Sequence, residues 1–166
     1  DSVVNGLDVE SVYEVPLMFH QENLDNIIMT YLQMWTGSPK LQPWIDLIEK
    51  YKNPQDEVDI AFIGKYVAHL DSYESLKEAL LHGGIANRLK VNLHYIDSEF
   101  LTPENAFEQL EKMDGVLVAP GFGERGMEGK ITAIQIARTG KIPFFGICLG
   151  MQMAIIEFAR NVVGIE

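Results

Sequence analysis

"KIPFFGICLGMQMAIIEFARNV", residues 141–162, places the chain's only cysteine between two glycines. An apolar run precedes that cysteine and a helical spacing of apolar residues follows it. The segment therefore reads as a strand, "IPFFGIC", turning at once into a helix, "LGMQMAIIEFARNV". Gly146-Ile147-Cys148-Leu149-Gly150 is then a G-x-C-x-G at a strand-to-helix turn, the pattern of a nucleophile elbow with Cys in place of Ser. At such a turn the nucleophile takes strained dihedrals, and side chains two positions away would strike neighbouring backbone; glycine at both places avoids this. The unpaired amides and dipole of the following helix favour a thiolate over a thiol. The Leu149 N–H can donate to an oxyanion beside the sulfur. The competing reading of Cys148 is a small buried core residue.

Working outward, the chain from Val58 alternates strand and helix. "VDIAFIGKY" is a nearly continuous apolar run, as for a strand covered on both faces. "DSYESLKEALLHGG" reads as a helix capped by Asp71 or Ser72, with Leu76, Ala79 and Leu80 inward and Gly83-Gly84 as its end. "KVNLHYID" is a second strand, and "TPENAFEQLEKM" a helix with Thr102 as N-cap and Pro103 in its first turn. "GVLVAPGFG" is a third strand entering a glycine-rich loop, followed by the helix "EGKITAIQIARTG". This alternation predicts an α/β fold with a doubly wound parallel sheet. Ligands of such sheets bind at the carboxyl ends of the strands, where "APGFGERG" and "GICLG" both fall. The first of these lacks a dinucleotide fingerprint and a G-K-[ST]; beside the elbow, Gly121 is a second oxyanion donor.

Residues 1–53 differ. "SVYEVPLMF" reads as a short strand stopped by Pro16. "ENLDNIIMTYLQM" carries Leu24, Ile27, Ile28, Tyr31 and Leu32 at helical spacing, and after "TGSPKLQP" a second helix carries Trp44, Leu47, Ile48 and Tyr51. Neither helix has a sheet of its own, so the region is expected to be a linker or the tail of another domain.

The chain has 166 residues, is 47% hydrophobic and carries a net charge of −11. Those values predict a folded, soluble protein and argue against nucleic-acid or anionic-membrane partners, which need clustered Lys and Arg. No apolar stretch reaches the roughly 18–20 residues of a membrane span. One cysteine fits a reducing, cytoplasmic setting. The chain does not open on Met, so a piece of a longer protein is one expectation. No histidine is singled out by spacing: His20 lies in the linker-like part, His69 in the loop after the first strand, His82 at a helix end and His94 on a strand.

Taken together, "GVLVAPGFGERGMEGK" and "IPFFGICLGMQMAIIEFARNV" closely resemble the CTP synthase family in its class I glutamine amidotransferase domain. "IAFIGKY" with "LDSYESLKEALLHGG" resembles the opening of that flavodoxin-like domain. "LDVESVYEVP" with "NLDNII" resembles the end of the family's amidoligase (synthetase) domain. The resemblance implies three parts: residues 1–34 as synthetase tail, 35–56 as interdomain linker, and 57–166 as the N-terminal part of an incomplete amidotransferase domain. It implies Cys148 as the glutaminase nucleophile, with His and Glu partners beyond residue 166, and glutamine held at Gly121, Leu149, Gly150, Met151 and Gln152. It implies Phe122 as a platform for an allosteric GTP base, and Leu7, Asp8 and Val9 at the adenine end of an ATP site. By the same resemblance ATP acts with Mg2+ in the synthetase domain, outside this stretch, on UTP, and the full-length protein is a homotetramer; no metal ligand is expected within this stretch. The chain departs from the family at Pro120, where glycine is common and where a missing N–H leaves Gly121 as the donor. It also departs at "HLDSY", and at Leu7, where lysine is usual. The rivals are a stand-alone cysteine hydrolase, which needs a His beside Cys148, and a non-catalytic interaction module.

Overall fold

In the computed structural model, residues 3–35, 37–67 and 70–165 are described. The chain divides into two compact units, Asp1–Pro54 and Gln55–Glu166.

The first unit is helical. A 3-10 turn over Val12–Glu14 leads into α1 (Val15–Gln21), followed by α2 (Leu24–Tyr31) and α3 (Gln42–Lys52). The expected strand over 11–19 is thus a helix. Pro16 falls in its first turn, where a missing N–H costs no hydrogen bond, so the proline opens a helix instead of stopping a strand. The Ser11 hydroxyl accepts from the Tyr13 amide at 3.3 Å and fixes the entry. Lys52, at the end of α3, bridges Glu10 and Glu14 at 2.8 and 3.0 Å. Among the described residues this unit buries no hydrophobic side chain below a tenth of its surface, and Trp35 is 99% exposed.

The second unit holds the core. Four parallel strands, β1 (Asp56–Gly64), β2 (Leu89–Asp97), β3 (Gly115–Val118) and β4 (Phe144–Gly146), lie in the order β2-β1-β3-β4. The register sets Gly64 against Asp97, Ile63 against Val118, and Val118 against Gly146, so the carboxyl ends of all four strands finish on one edge. Alternation along β1 and β3 sends side chains to both faces. Ala61, Ile63, Val116 and Val118 pack with Leu110 of α5 (Ala106–Leu110), Ile131 and Ile134 of α6 (Met127–Gly140), and Leu149 and Met153 of α7 (Leu149–Phe158). Phe62 and Leu117 face the other way, onto Tyr73 and onto Leu76 and Leu80 of α4 (Glu74–Asn87). Helices on both faces of a parallel sheet make this the doubly wound, flavodoxin-like architecture the alternation predicts.

Two helices depart from their expected ends. α4 begins after a 3-10 turn over Leu70–Tyr73, with Tyr73 and not Asp71 or Ser72 at its N-cap, and runs past Gly83-Gly84 to a left-handed Arg88. Gly84 serves close packing: a Cβ there would come within 2.7 Å of the Leu89 carbonyl and the Val91 side chain. Ala79 is exposed, outside the buried stripe. The helix expected from Thr102 starts only at Ala106, because Thr102–Asn105 closes as a turn, the Thr102 amide donating to Asn105 Oδ1 at 2.9 Å. α7 continues into a π turn over Ala159–Val163.

Candidate active site

The strand order reverses between β1 and β3: from β1 the chain steps out to β2, then crosses back to β3. A crevice therefore opens beyond the carboxyl ends of β1 and β3, and the turn after β4 lies beside it. Three segments meet there: Gly64–Tyr66, Ala119–Gly123, and Gly146–Gly150.

The third segment is the elbow. Cys148 is exposed and holds φ 53°, ψ −107°, a conformation that side-chain-bearing residues rarely adopt. Two backbone bonds keep it there: Ile147 N–H donates to the Val118 carbonyl at 3.0 Å and Gly150 N–H to the Ile147 carbonyl at 2.9 Å. The glycines are required by contact. A Cβ on Gly146 would sit 2.6 Å from the Gly150 carbonyl carbon, and one on Gly150 would overlap the Val118 carbonyl oxygen. The sulfur thus stands at the N-cap of α7, whose first turn carries no acidic side chain. The Leu149 amide, first in α7, precedes the helix's own hydrogen bonds and is available to an oxyanion. Leu149 and Gly150 are buried, while Met151 and Gln152 are exposed on the helix behind the sulfur.

The glycine loop is built on the other two strands. Gly121 has φ 135°, in the half of backbone space that favours glycine. The Phe122 carbonyl accepts from Lys65 Nζ at 2.9 Å, and the Phe122 ring is 68% exposed. The Lys65 and Tyr66 amides both donate to the Tyr73 hydroxyl, at 3.1 and 3.3 Å, which pins the end of β1. Arg125 donates to the Lys65 carbonyl at 3.3 Å and to Glu99 at 2.7 Å, tying the outer part of the loop to the end of β2. Beneath the loop lies Lys130, buried, its Nζ donating to the Ala119 carbonyl at 2.9 Å.

The structure thus brings Cys148, Leu149, Gly150, Gly121 and Phe122 to one edge of the sheet. Leu7 and Asp8 are exposed and Val9 half-buried, in an irregular stretch of the first unit. The described histidines each have a carboxylate beside them: His20 pairs with Asp25 at 2.7 Å in the first unit, and in the second His94 pairs with Asp59 at 2.6 Å and His82 lies beside Glu78. His69 lies outside the described residues. Among the described residues no three His, Cys, Asp or Glu side chains converge as metal ligands, and no helix is long and apolar enough to cross a membrane. Sequence reasoning missed Lys65, Tyr73, Arg125 and Lys130. The available signal was position: Lys65 directly follows a strand, and Arg125 and Lys130 flank the glycine loop.

Comparison with known proteins agrees with this geometry. The family model "Glutamine amidotransferase class-I" matches residues 68–166. The chain is 53% identical over 165 residues to a CTP synthase of Syntrophus aciditrophicus, covering 99% of this chain and 31% of that protein. A CTP synthase of Desulfotalea psychrophila is 52% identical over 166 residues, covering 100% of this chain and 30% of that protein. The chain therefore spans under a third of these relatives. Among solved structures, the glutaminase domain of Trypanosoma brucei CTPS with bound acivicin superposes with a TM-score of 0.61 at 45% identity, covering 64% of this chain and 42% of that one. With an elbow cysteine, a doubly wound sheet and a family match over more than half its length, the chain belongs to the class I glutamine amidotransferases.

Proposed function

We propose that this chain carries the glutaminase nucleophile of a CTP synthase. The observation that carries the reading is the strained, exposed Cys148 at the head of α7, in the turn that follows β4 and is tied by Ile147 N–H to the end of β3. Similarity to CTP synthases at 51–53% identity along this whole chain, which spans under a third of their length, supports the particular enzyme.

In this reading the Cys148 thiolate attacks the carboxamide carbon of glutamine. The new S–C bond forms as the C=O π bond breaks, and its electron pair makes the oxygen an anion held by the Leu149 and Gly121 amides; one such donor is worth about 2.7–4 kcal/mol. The C–N bond then breaks, the nitrogen leaves as ammonia after taking a proton, and a thioester remains on Cys148. Water attacks the thioester, releasing glutamate and restoring the thiol. The proton carrier is assigned to the His and Glu that the family resemblance sets beyond residue 166.

The ammonia passes to a synthetase site, where ATP with Mg2+ activates UTP by phosphorylation and amination gives CTP. Phe122, exposed at the loop's outer face, is the platform for an activating GTP base. Leu7, Asp8 and Val9 belong to the adenine end of the ATP site. Residues 1–34 are synthetase tail, 35–56 linker and 57–166 amidotransferase, within a cytoplasmic homotetramer.

The test uses the full-length protein that bears this chain. Cys148→Ala is expected to abolish glutamine-driven conversion of UTP to CTP and to leave the ammonium-driven reaction intact. Loss of both reactions in a folded variant, or survival of the glutamine-driven one, would overturn the reading.

A further inference from the structure

Between Pro120 and Gly123 the glycine loop has little polar hold of its own. Among the described residues none of these four makes a hydrogen bond to other backbone. Gly121 and Gly123 lie at φ 135° and 100°, in the half of backbone space where glycine moves freely. Such a segment keeps one conformation only if contacts from outside it offset the lost entropy. Lys65 supplies them. Its Nζ donates to the Phe122 carbonyl at 2.9 Å, and a Cβ on Gly123 would lie 3.0 Å from that nitrogen. A Cβ on Gly121 would meet the Tyr66 ring at 3.7 Å and the Lys65 Cβ at 3.9 Å, so the loop rests on both residues.

Lys65 is itself delivered from a fixed base. Its N–H, with that of Tyr66, donates to the buried Tyr73 hydroxyl at 3.1 and 3.3 Å, and its carbonyl accepts from Arg125 at 3.3 Å. The side chain is half-buried and aims its charge at a neutral carbonyl, a bond stronger than one from a neutral donor. On the other side of Gly121, the Ala119 carbonyl accepts from Lys130 Nζ at 2.9 Å. The Gly121 amide is thus bracketed by two held carbonyls. The root of the loop touches the elbow directly: the Val118 carbonyl accepts from Ile147 N–H at 3.0 Å, and a Cβ on Gly150 would overlap its oxygen. Gly121 is the third residue beyond Val118.

We infer that Lys65 is a positioning residue for the glutaminase reaction: its ammonium holds the Phe122 carbonyl and thereby keeps the Gly121 amide turned to the oxyanion. This rests on the glutaminase reading above and deepens it by naming what holds the loop. A free glycine loop would sample many directions for that N–H. The Lys65 bond restricts them before glutamine binds, so the donor needs no reorganisation at the moment of reaction. An oxyanion donor acts where charge develops, so its loss falls on the transition state and not on glutamine affinity.

The experiment is steady-state release of glutamate from glutamine by the full-length protein, with kcat and KM measured separately. Lys65→Met keeps the stem that packs under the loop and removes the donor. It is expected to lower kcat by about tenfold to hundredfold, the scale of a misplaced group, and to change KM for glutamine by less than about twofold. Lys65→Arg restores a charged donor for the carbonyl and is expected to keep kcat within about threefold of wild type. Tyr73→Phe, a second variant should Lys65→Met fail to fold, frees the two amides that fix the base of Lys65 and is expected to lower kcat in the same pattern. Three results would overturn the role of Lys65 and leave the glutaminase reading in place: an unchanged kcat in the folded variant, a loss confined to KM, or a Lys65→Arg as slow as Lys65→Met. A wild-type protein that releases no glutamate and takes no label from a glutamine analogue at Cys148 would sink the glutaminase reading instead.

Discussion

Cys148 at φ 53° and ψ −107° carries backbone strain on the order of 1–3 kcal/mol. The surroundings sustain it: Ile147 and Gly150 are tied by hydrogen bonds to Val118 and Ile147, and the two flanking glycines leave no room for a Cβ. Gly150→Ala should therefore be destabilising by about 3 kcal/mol, in the range of overpacking a close contact. Chemical denaturation of the variant checks this, and a loss below about 0.5 kcal/mol would mean that the turn has slack. The same packing explains why this site was legible in the sequence. An elbow is a five-residue, local device, and its glycine spacing states the steric problem outright. Lys130 and the Tyr73 hydroxyl were not legible, because their partners, the Ala119 carbonyl and the Lys65 and Tyr66 amides, lie across contacts that only the folded sheet creates.

Elements show where periodicity misleads. The apolar residues of "SVYEVPLMF" suit a strand, yet Pro16 in the first turn of α1 makes a helix start there. Gly83-Gly84 resembles a terminator, but α4 ends instead at Arg88, and α6 at Lys141, both left-handed at φ 57°. Glycine is the usual residue at such a position. Lys141→Gly is thus expected to add about 0.5–1 kcal/mol of stability, read as a raised thermal midpoint; a lowered midpoint would give the Lys141 side chain a structural task. α6 and α7 are also joined by charge. Glu157, 1% exposed, accepts from Arg138 at 2.9 and 2.8 Å and from Asn161 at 3.1 Å. Arg138 foremost holds the Glu157 carboxyl below its ordinary 4.5, against the opposing effect of burial. A depressed folded value means the pair stabilises the fold fully above the unfolded pKa near 4.5 and loses that contribution as pH falls through the lower folded value. Glu157→Gln should cost about 2 kcal/mol at pH 7, leaving Arg138 short of its acceptor, and should flatten the acid-side decline in stability. Equal pH profiles for variant and wild type would refute that assignment.

Across the whole molecule, the sheet order β2-β1-β3-β4 is what converts separate motifs into a site. Alternating strands and helices in the second unit could be read from the sequence, and with them the doubly wound fold, because the carboxyl half of β1 and all of β3 are buried and their apolar runs are nearly continuous. In the first unit α2 and α3 were legible but α1 was read as a strand, since a chain segment that buries so few apolar side chains leaves little patterning to read. The topology brings the β3 loop against the β4 elbow, and the family match over residues 68–166 gives that geometry its chemistry. The account depends on Cys148 being an exposed nucleophile that reacts with glutamine. Its most direct measurement is reaction of the full-length protein with the glutamine analogue 6-diazo-5-oxonorleucine, followed by peptide mass spectrometry. A single adduct on Cys148, suppressed by excess glutamine, is the result predicted; an unmodified Cys148, or an adduct that glutamine fails to suppress, would contradict it.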